Sequence, residues 1–533
     1  MPDELLPWWQ TAVVYQIYPR SFARAAAPAG RPPGGHGDDH GGAVGDLRGI
    51  RSRLDHLVRL GVDAIWLSPF YRSPMKDFGY DISDHCDVDP VFGTLDDIDG
   101  LIADCHSHGL RVMVDFVPNH TSDEHPWFRS SRSSRDDPRR DWYVWRDPAP
   151  DGGPPNNWVA AFRPEPAWTF DEATGQYYLH LFLPEQPDVN WANPEVEAAM
   201  HDVVRFWLDR GVDGLRVDVV HGLGKDPALA DDPAALAGLP HVPINDRRET
   251  HAYLRRLRDL LDGYPGERTM VGEVYLLDTH LVAPYYGDGD ELHMSFNFPP
   301  LYAPWDADHW RDQVETTTAL LDPIDAWPTW VLSNHDNPRH RTRYGSEARA
   351  RAAALLLLGL RGTPFLYAGE ELGLLDAEIP ADRVVDPGGR DGCRAPIPWD
   401  PTHGHGWPAD TWLPFPPETD SHNVADEWAD PGSTLTLYQR CLACRRASTA
   451  LRAGDQHLLE GPAGVLGWVR AAGADRRVVL VNFTGQVVDL DGTEALGASA
   501  GWLVEVASDR VGEGARFAGR LAPDQALWLR PPS

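Results

Sequence analysis

Arg216 and Asp218 stand two residues apart in the short apolar run Gly214-Leu-Arg-Val-Asp-Val-Val220. Side chains at i and i+2 of a strand share a face. The run therefore sets a guanidinium beside a carboxylate, with Leu215, Val217 and Val219 turned the other way. A neighbouring guanidinium favours the ionised carboxylate and orients it through charge-assisted hydrogen bonds. An oriented, charged carboxylate can act as a nucleophile. Alone, such a pair is more often a structural ion pair at a strand end.

Two further carboxylates change that balance. Glu273 lies in Val271-Gly-Glu-Val-Tyr275 and Asp336 in Ser333-Asn-His-Asp336. Cleavage of a glycosidic bond requires one carboxylate nucleophile and one protonated carboxyl as general acid. Glu273 has apolar neighbours, and partial burial near other anions would raise its pKa as an acid working near neutrality requires. Asp336 would orient sugar hydroxyls and stabilise developing positive charge. His120 and His335 could donate to those hydroxyls.

Eight short β-rich runs would carry these residues: Val13–Tyr18, Val62–Pro69, Arg111–Pro118, Gly214–Val220, Thr269–Tyr275, His293–Phe298, Trp330–Asn334 and Thr363–Tyr367. Amphipathic helical patterns fall between them, among them Ile50–Leu60, Glu195–Arg210, Thr250–Leu261 and Glu347–Leu360. Strands alternating with helices imply a parallel sheet, and eight of them predict a closed (β/α)8 TIM barrel of the α/β class, with its chemistry in the loops at the carboxyl ends of the strands. Asp115, Asn119, His120, Arg216, Asp218, Glu273, His335 and Asp336 all end strand runs.

The predicted barrel spans 1–120 and 188–451. A subdomain is inserted after strand three at 121–187, including a strand at Gln176–Phe182. A second insertion, about 373–431, is rich in Pro, Trp, Asp and Gly, and a last barrel helix follows at Thr434–Leu451. From 452 to 533 short strands and Gly/Asp turns predict a C-terminal antiparallel β-sandwich domain.

Composition sets the outer limits. The 533 residues carry a net charge of -32, with 48 basic against 80 acidic side chains, which argues against nucleic acid or anionic membranes as partners. Tryptophan is plentiful at 21, and lysine occurs only at Lys76 and Lys225. No signal peptide or membrane-length apolar run is visible, and five scattered cysteines read as reduced structural thiols. A cytoplasmic monomer or homodimer is expected.

Taken together, Asp115-Phe-Val-Pro-Asn-His120, Gln186-Pro-Asp-Val-Asn-Trp191, Gly214-Leu-Arg-Val-Asp218, Gly272-Glu-Val274 and Ser333-Asn-His-Asp-Asn-Pro-Arg339 occur in the order seen in the α-amylase superfamily of glycoside hydrolases. Gly79-Tyr-Asp-Ile-Ser-Asp-His85 and Arg390-Asp-Gly-Cys-Arg-Ala-Pro-Ile-Pro-Trp399 extend the match. The chain resembles the α-glucosidase/oligo-1,6-glucosidase branch over nearly its whole length. The resemblance implies Asp218 as nucleophile, Glu273 as acid/base and Asp336 as transition-state stabiliser. It implies Tyr80, Asp81, His120, Arg216, His335 and one arginine, Arg394 or its rival Arg390, around the terminal sugar. It further implies exo-action on small α-glucosides such as maltose, retention through double displacement, and transglucosylation as a side reaction. The two catalytic carboxyls are then about 5–5.5 Å apart.

Two features depart from the family pattern. The cation loop after the first strand reads Asp38-Asp-His-Gly-Gly-Ala-Val-Gly-Asp46, with Gly42 at the central ligand position. Fewer hard oxygen ligands weaken divalent binding, so no cofactor and no tightly held metal are expected, at most a weak divalent cation there. Val219, after the nucleophile, accompanies α-1,6 preference in this branch, while the following segment resembles α-glucosidases generally. Oligo-1,6-glucosidase and trehalose or isomaltulose synthase are the enzymatic alternatives. A non-catalytic transporter subunit is opposed by the three acids and the absence of a span.

Overall fold

The structure, a computed structural model, describes residues 6–25, 42–490 and 501–532. Eight parallel strands form its centre: β1 (Val14–Ile17), β2 (Ala64–Leu67), β3 (Arg111–Phe116), β4 (Gly214–Val217), β5 (Thr269–Gly272), β6 (Met294–Ser295), β7 (Thr329–Val331) and β8 (Thr363–Tyr367). Their order, β6-β5-β4-β3-β2-β1-β8-β7, runs once around a barrel. The β6/β7 seam is bridged by Thr329, whose Oγ1 donates to the Ser295 carbonyl at 2.8 Å and accepts from the Asn297 N–H at 3.2 Å.

The period of two sorts each strand. Val14, Ala64, Trp66, Met113, Val271, Met294, Val331 and Phe365 fill the barrel interior as one apolar cluster. Tyr15, Ile17, Ile65, Leu67, Val112, Val114, Leu215 and Val217 belong to the other core, with the surrounding helices. Register aligns Met113 with Gly214 and Asp115 with Arg216. The polar side chains of β3 and β4 thus continue the inward-facing row above Met113. Gly272 lets Leu292 pack against the strand, since a Cβ there would lie 2.4 Å from Leu292 Cδ1 and force that side chain to shift.

Between β3 and helix Pro194–Asp209 the chain makes a helix, Pro126–Ser133, and a three-stranded antiparallel sheet with Gln176–Leu179 at its centre. Its apolar core reaches down to Val219, beyond the end of β4. After β8 a long irregular segment buries Trp399, Trp407 and Trp412 against the barrel. The helix predicted over Thr434–Leu451 is two helices, Thr434–Ala447 and Thr449–Ala453, because Ser448 caps the second by accepting from the Leu451 N–H.

The C-terminal region has a five-stranded antiparallel sheet and a separate two-stranded pair. It docks on helix Glu347–Gly359, where Trp528 donates to Leu355 O and Trp468 to Gly359 O, each at 3.0 Å. Of the predicted cation loop, residues 38–41 lie outside the described residues. Among the described residues no group of three or more His, Cys, Asp or Glu side chains is placed to hold a metal ion, and no helix is long and apolar enough to cross a membrane.

Candidate active site

Arg216 sits at the floor of the barrel mouth with its side chain 3% exposed. Nη1 donates to Asp115 at 2.6 Å and also to Asp218, while Nη2 donates to Glu273 at 2.7 Å. Its guanidinium lies 5.3 Å from the Trp66 ring centre. Three carboxylates thus share one cation. The sequence suggests that Arg216 holds Asp218 in its charged form, but the geometry gives a different direction. Burial raises the Asp218 pKa well above the ordinary carboxylate value; Arg216 opposes the rise, and Glu273 and Asp115 add to it. A guanidinium divided three ways does not offset that burial. Asp115 is likewise pushed up by burial to about 6 against the pull of Arg216.

The backbone holds the two candidate catalytic acids together. The Asp218 N–H donates to Phe116 O and the Glu273 N–H to Val217 O, both at 2.8 Å, continuing the sheet beyond its strands. Val219 then adopts φ 42°, a left-handed backbone rare for a β-branched residue. Its N–H donates to Glu273 Oε2 at 3.2 Å.

Asp336 lies across the mouth in the opposite electrostatic setting. Its Oδ1 accepts from Arg390 Nη1 at 3.0 Å and Arg394 Nη2 at 3.1 Å. His335 Nε2 is 3.3 Å from its Oδ2. Burial raises the Asp336 pKa, but His335, Arg390 and Arg394 outweigh it and hold the group well below the ordinary carboxylate range. His335 is fixed by Gln16 at 2.7 Å and the Tyr80 hydroxyl at 2.6 Å, and its ring stacks on Tyr80 at 5.4 Å. Burial lowers its pKa to about 3, so it is neutral. His120, lowered by burial to about 4, meets Gln186 Nε2 at 3.1 Å.

A cavity of about 860 Å³ opens beside this centre, walled by the inserted segment (Phe162, His180, Phe182), Lys76 and Asp386. Phe182 packs on His120 with centroids 5.2 Å apart, and Phe162 lies under the Arg390 guanidinium at 4.7 Å.

The same chain matches the family described as "Alpha amylase, catalytic domain" over residues 16–454. The chain belongs to the alpha-amylase family of glycoside hydrolases. It is 42% identical over 513 residues to a probable alpha-glucosidase of Rhizobium meliloti, covering 90% of this chain and 89% of that one. It is 36% identical over 532 residues to an oligo-1,6-glucosidase of Parageobacillus thermoglucosidasius, covering 90% of each. Among solved structures, the trehalulose synthase from Pseudomonas mesoacidophila MX-45 superposes with a TM-score of 0.87 at 32% identity, covering 98% of this chain and 99% of that one. An alpha-glucosyl transfer enzyme, XgtA, does so with a TM-score of 0.87 at 38% identity, covering 99% of this chain and 100% of that one.

Within this alpha-amylase fold, Asp218, Glu273, Arg216, Tyr80, His335 and Asp336 gather at one barrel mouth, with His120 at its edge. Both rival arginines, Arg390 and Arg394, reach the same oxygen of Asp336. Arg394 is fully enclosed, whereas Arg390 stays 11% exposed. Asp81 is placed differently from the expectation. Its carboxylate accepts from Ser73 Oγ and the N–H groups of Lys76 and Asp77 at 2.8, 2.8 and 3.0 Å, closing a turn. The neighbouring acid facing the site is Asp77, 2.5 Å from Arg390 Nη2 and 3.0 Å from Gln186 Nε2. Val219 is buried against the inserted segment.

Sequence reasoning also missed Asp386, Gln16 and Lys225. Lys225 Nζ bonds Asp188 at 2.8 Å, Asn119 Oδ1 at 2.7 Å and the Gly222 carbonyl, tying the ends of β3 and β4 to the returning inserted segment. Its being one of two lysines was the available signal.

Proposed function

We propose that this protein is a retaining, exo-acting α-glucosidase that removes terminal glucose from maltose and short α-linked oligosaccharides. Asp218 Oδ attacks the anomeric carbon as the bond to the leaving oxygen breaks. Glu273 gives its proton to that oxygen. Water then attacks the same carbon, returns its proton to Glu273 and frees Asp218. When a sugar hydroxyl takes the place of water, the same step transfers glucose. Asp336, charged throughout, faces the positive charge that develops on the sugar ring.

The observation that carries this reading is the shared cation at the barrel floor. Asp218 and Glu273 are bound by the two terminal nitrogens of one guanidinium. That adjacency suits the short separation of retaining enzymes, about 5–5.5 Å, better than the wider gap of inverting ones. Held on Nη1 and Nη2 of the same guanidinium, Asp218 and Glu273 are placed to act as a pair. Asp77, His120, Tyr80, His335, Arg390 and Arg394 are assigned to the terminal sugar. The site needs no metal for these steps, and any divalent cation in the 38–46 loop would serve structure. Five free thiols at Cys86, Cys105, Cys393, Cys441 and Cys444 support a reducing, cytoplasmic setting, and each chain holds a complete site, whether monomeric or dimeric.

Oligo-1,6-glucosidase activity is the second reading, favoured by Val219 at its buried, left-handed position. Initial rates on maltose, isomaltose, trehalose and sucrose decide between them. Glucose release fastest from maltose supports the first reading, fastest release from isomaltose the second, and rearranged disaccharide in place of glucose an isomerase.

A further inference from the structure

We propose that Asp386 is a positioning residue for terminal-sugar recognition, holding Arg390 and Arg394 back so that Asp77 and Asp336 remain available to sugar hydroxyls. This rests on the α-glucosidase reading above and adds a residue outside the motifs that suggested it. Asp386 lies in the irregular segment after β8, with its side chain fully enclosed. Its Oδ2 accepts from the Arg390 N–H at 2.8 Å and Arg390 Nε at 2.9 Å; Oδ1 accepts from Arg390 Nη2 at 2.7 Å and Arg394 Nη1 at 3.1 Å. Asp391 fixes the loop in turn, its Oδ2 accepting from the N–H groups of Val385 and Asp386 at 2.8 and 3.1 Å.

One carboxylate therefore grips two guanidiniums from the side away from Asp336. Each guanidinium sends a single nitrogen to Asp336 Oδ1, and Arg390 sends another to Asp77. Three carboxylates balance two cations, so neither Asp77 nor Asp336 is saturated by charge. Without Asp386 the balance is two to two. Arg390, a long side chain with its Nε then unpaired, is free to turn both nitrogens onto Asp336 or Asp77. A bidentate arginine–carboxylate pair is strong and specific. The hydroxyls of an incoming sugar then compete with it, and binding weakens while the carboxylates on Arg216 keep their arrangement.

Asp386→Asn keeps the shape and removes the charge. The expected result is a rise in KM for maltose of tenfold or more with kcat changed less than threefold, and in Asp386→Glu a recovery of at least half of that rise that still leaves KM at least twofold above wild type. An unchanged KM in the Asn variant, or a fall in kcat at constant KM, overturns the proposal. Thermal melting of both variants is followed in parallel. If the Asn variant does not fold, the Glu variant decides: its carboxylate is shifted by one methylene, so a twofold or greater KM rise supports the role and a wild-type KM overturns it. A wild-type chain that releases no glucose from any α-glucoside contradicts the proposed function instead, and the two failures are read from different samples.

Discussion

Arg216 holds Glu273 at 2.7 Å through Nη2 while its Nη1 serves Asp115 and Asp218. Only a planar, forked donor can reach all three from one buried position. Arg216→Lys retains the charge and loses the fork. It should lower kcat by about two to three orders of magnitude with a smaller change in KM. Steady-state kinetics on maltose checks this; a loss of less than tenfold would show that charge alone suffices.

Lys225 offers a test of what holds the inserted segment over the barrel. Its ammonium offsets Asp188, whose side chain is fully buried, and bridges Asn119 and Gly222. Lys225→Met leaves Asp188 buried without a cation, which costs about 3–5 kcal/mol. Denaturant unfolding should show that loss, and combining the change with Asp188→Leu should recover part of it. A variant as stable as wild type would mean that the pair holds nothing.

Stability should also respond to acid in a definite direction. Burial depresses His85, His120 and His221 to about 4, and His293, His335 and His340 to about 3. These rings stay neutral in the folded chain, while the unfolded chain takes up their protons below about pH 6.5. Their contribution is complete above that pH and is lost as pH falls toward 4. Asp81, Asp115 and Glu370 work in reverse. Burial raises them to about 7, 6 and 8, so they oppose folding as pH rises from the unfolded carboxylate value near 4 up to those values. Among the most strongly shifted groups these histidines outnumber the three carboxyls and Asp218. The melting temperature is therefore expected to rise from pH 4.5 to 6.5 and to flatten or dip by pH 8. A flat profile across the acid range contradicts this.

Much of the site was legible because strand period is simple. Arg216 and Asp218 read as neighbours two apart, and the barrel supplied a third inward row through Asp115. What escaped depended on chain paths that periodicity does not encode. Asp77 and Asp81 flank Gly79-Tyr80 in one short segment. Which of them faces the candidate site is decided by the turn that Asp81 closes with the Lys76 and Asp77 N–H groups. Asp386 lies in a Pro/Gly-rich stretch with no period, and its position depends on how that stretch folds back over β8. The upward shift at Asp218 was missed because sequence shows neither how deeply that carboxyl is buried nor the two further carboxylates on its arginine. The break at Ser448 illustrates local chemistry overriding a helical pattern, since a serine side chain satisfies the first free N–H groups of a new helix.

Asp218 is the group expected to bond covalently to the anomeric carbon. Incubation with a slow 5-fluoro-α-glucosyl fluoride, followed by proteolysis and mass spectrometry, reads that bond directly. The expected result is a glucosyl ester on the peptide containing Asp218, absent from Asp218→Asn. Turnover of the reagent without any adduct, or an adduct on Glu273 or Asp336, would contradict the two-carboxylate assignment.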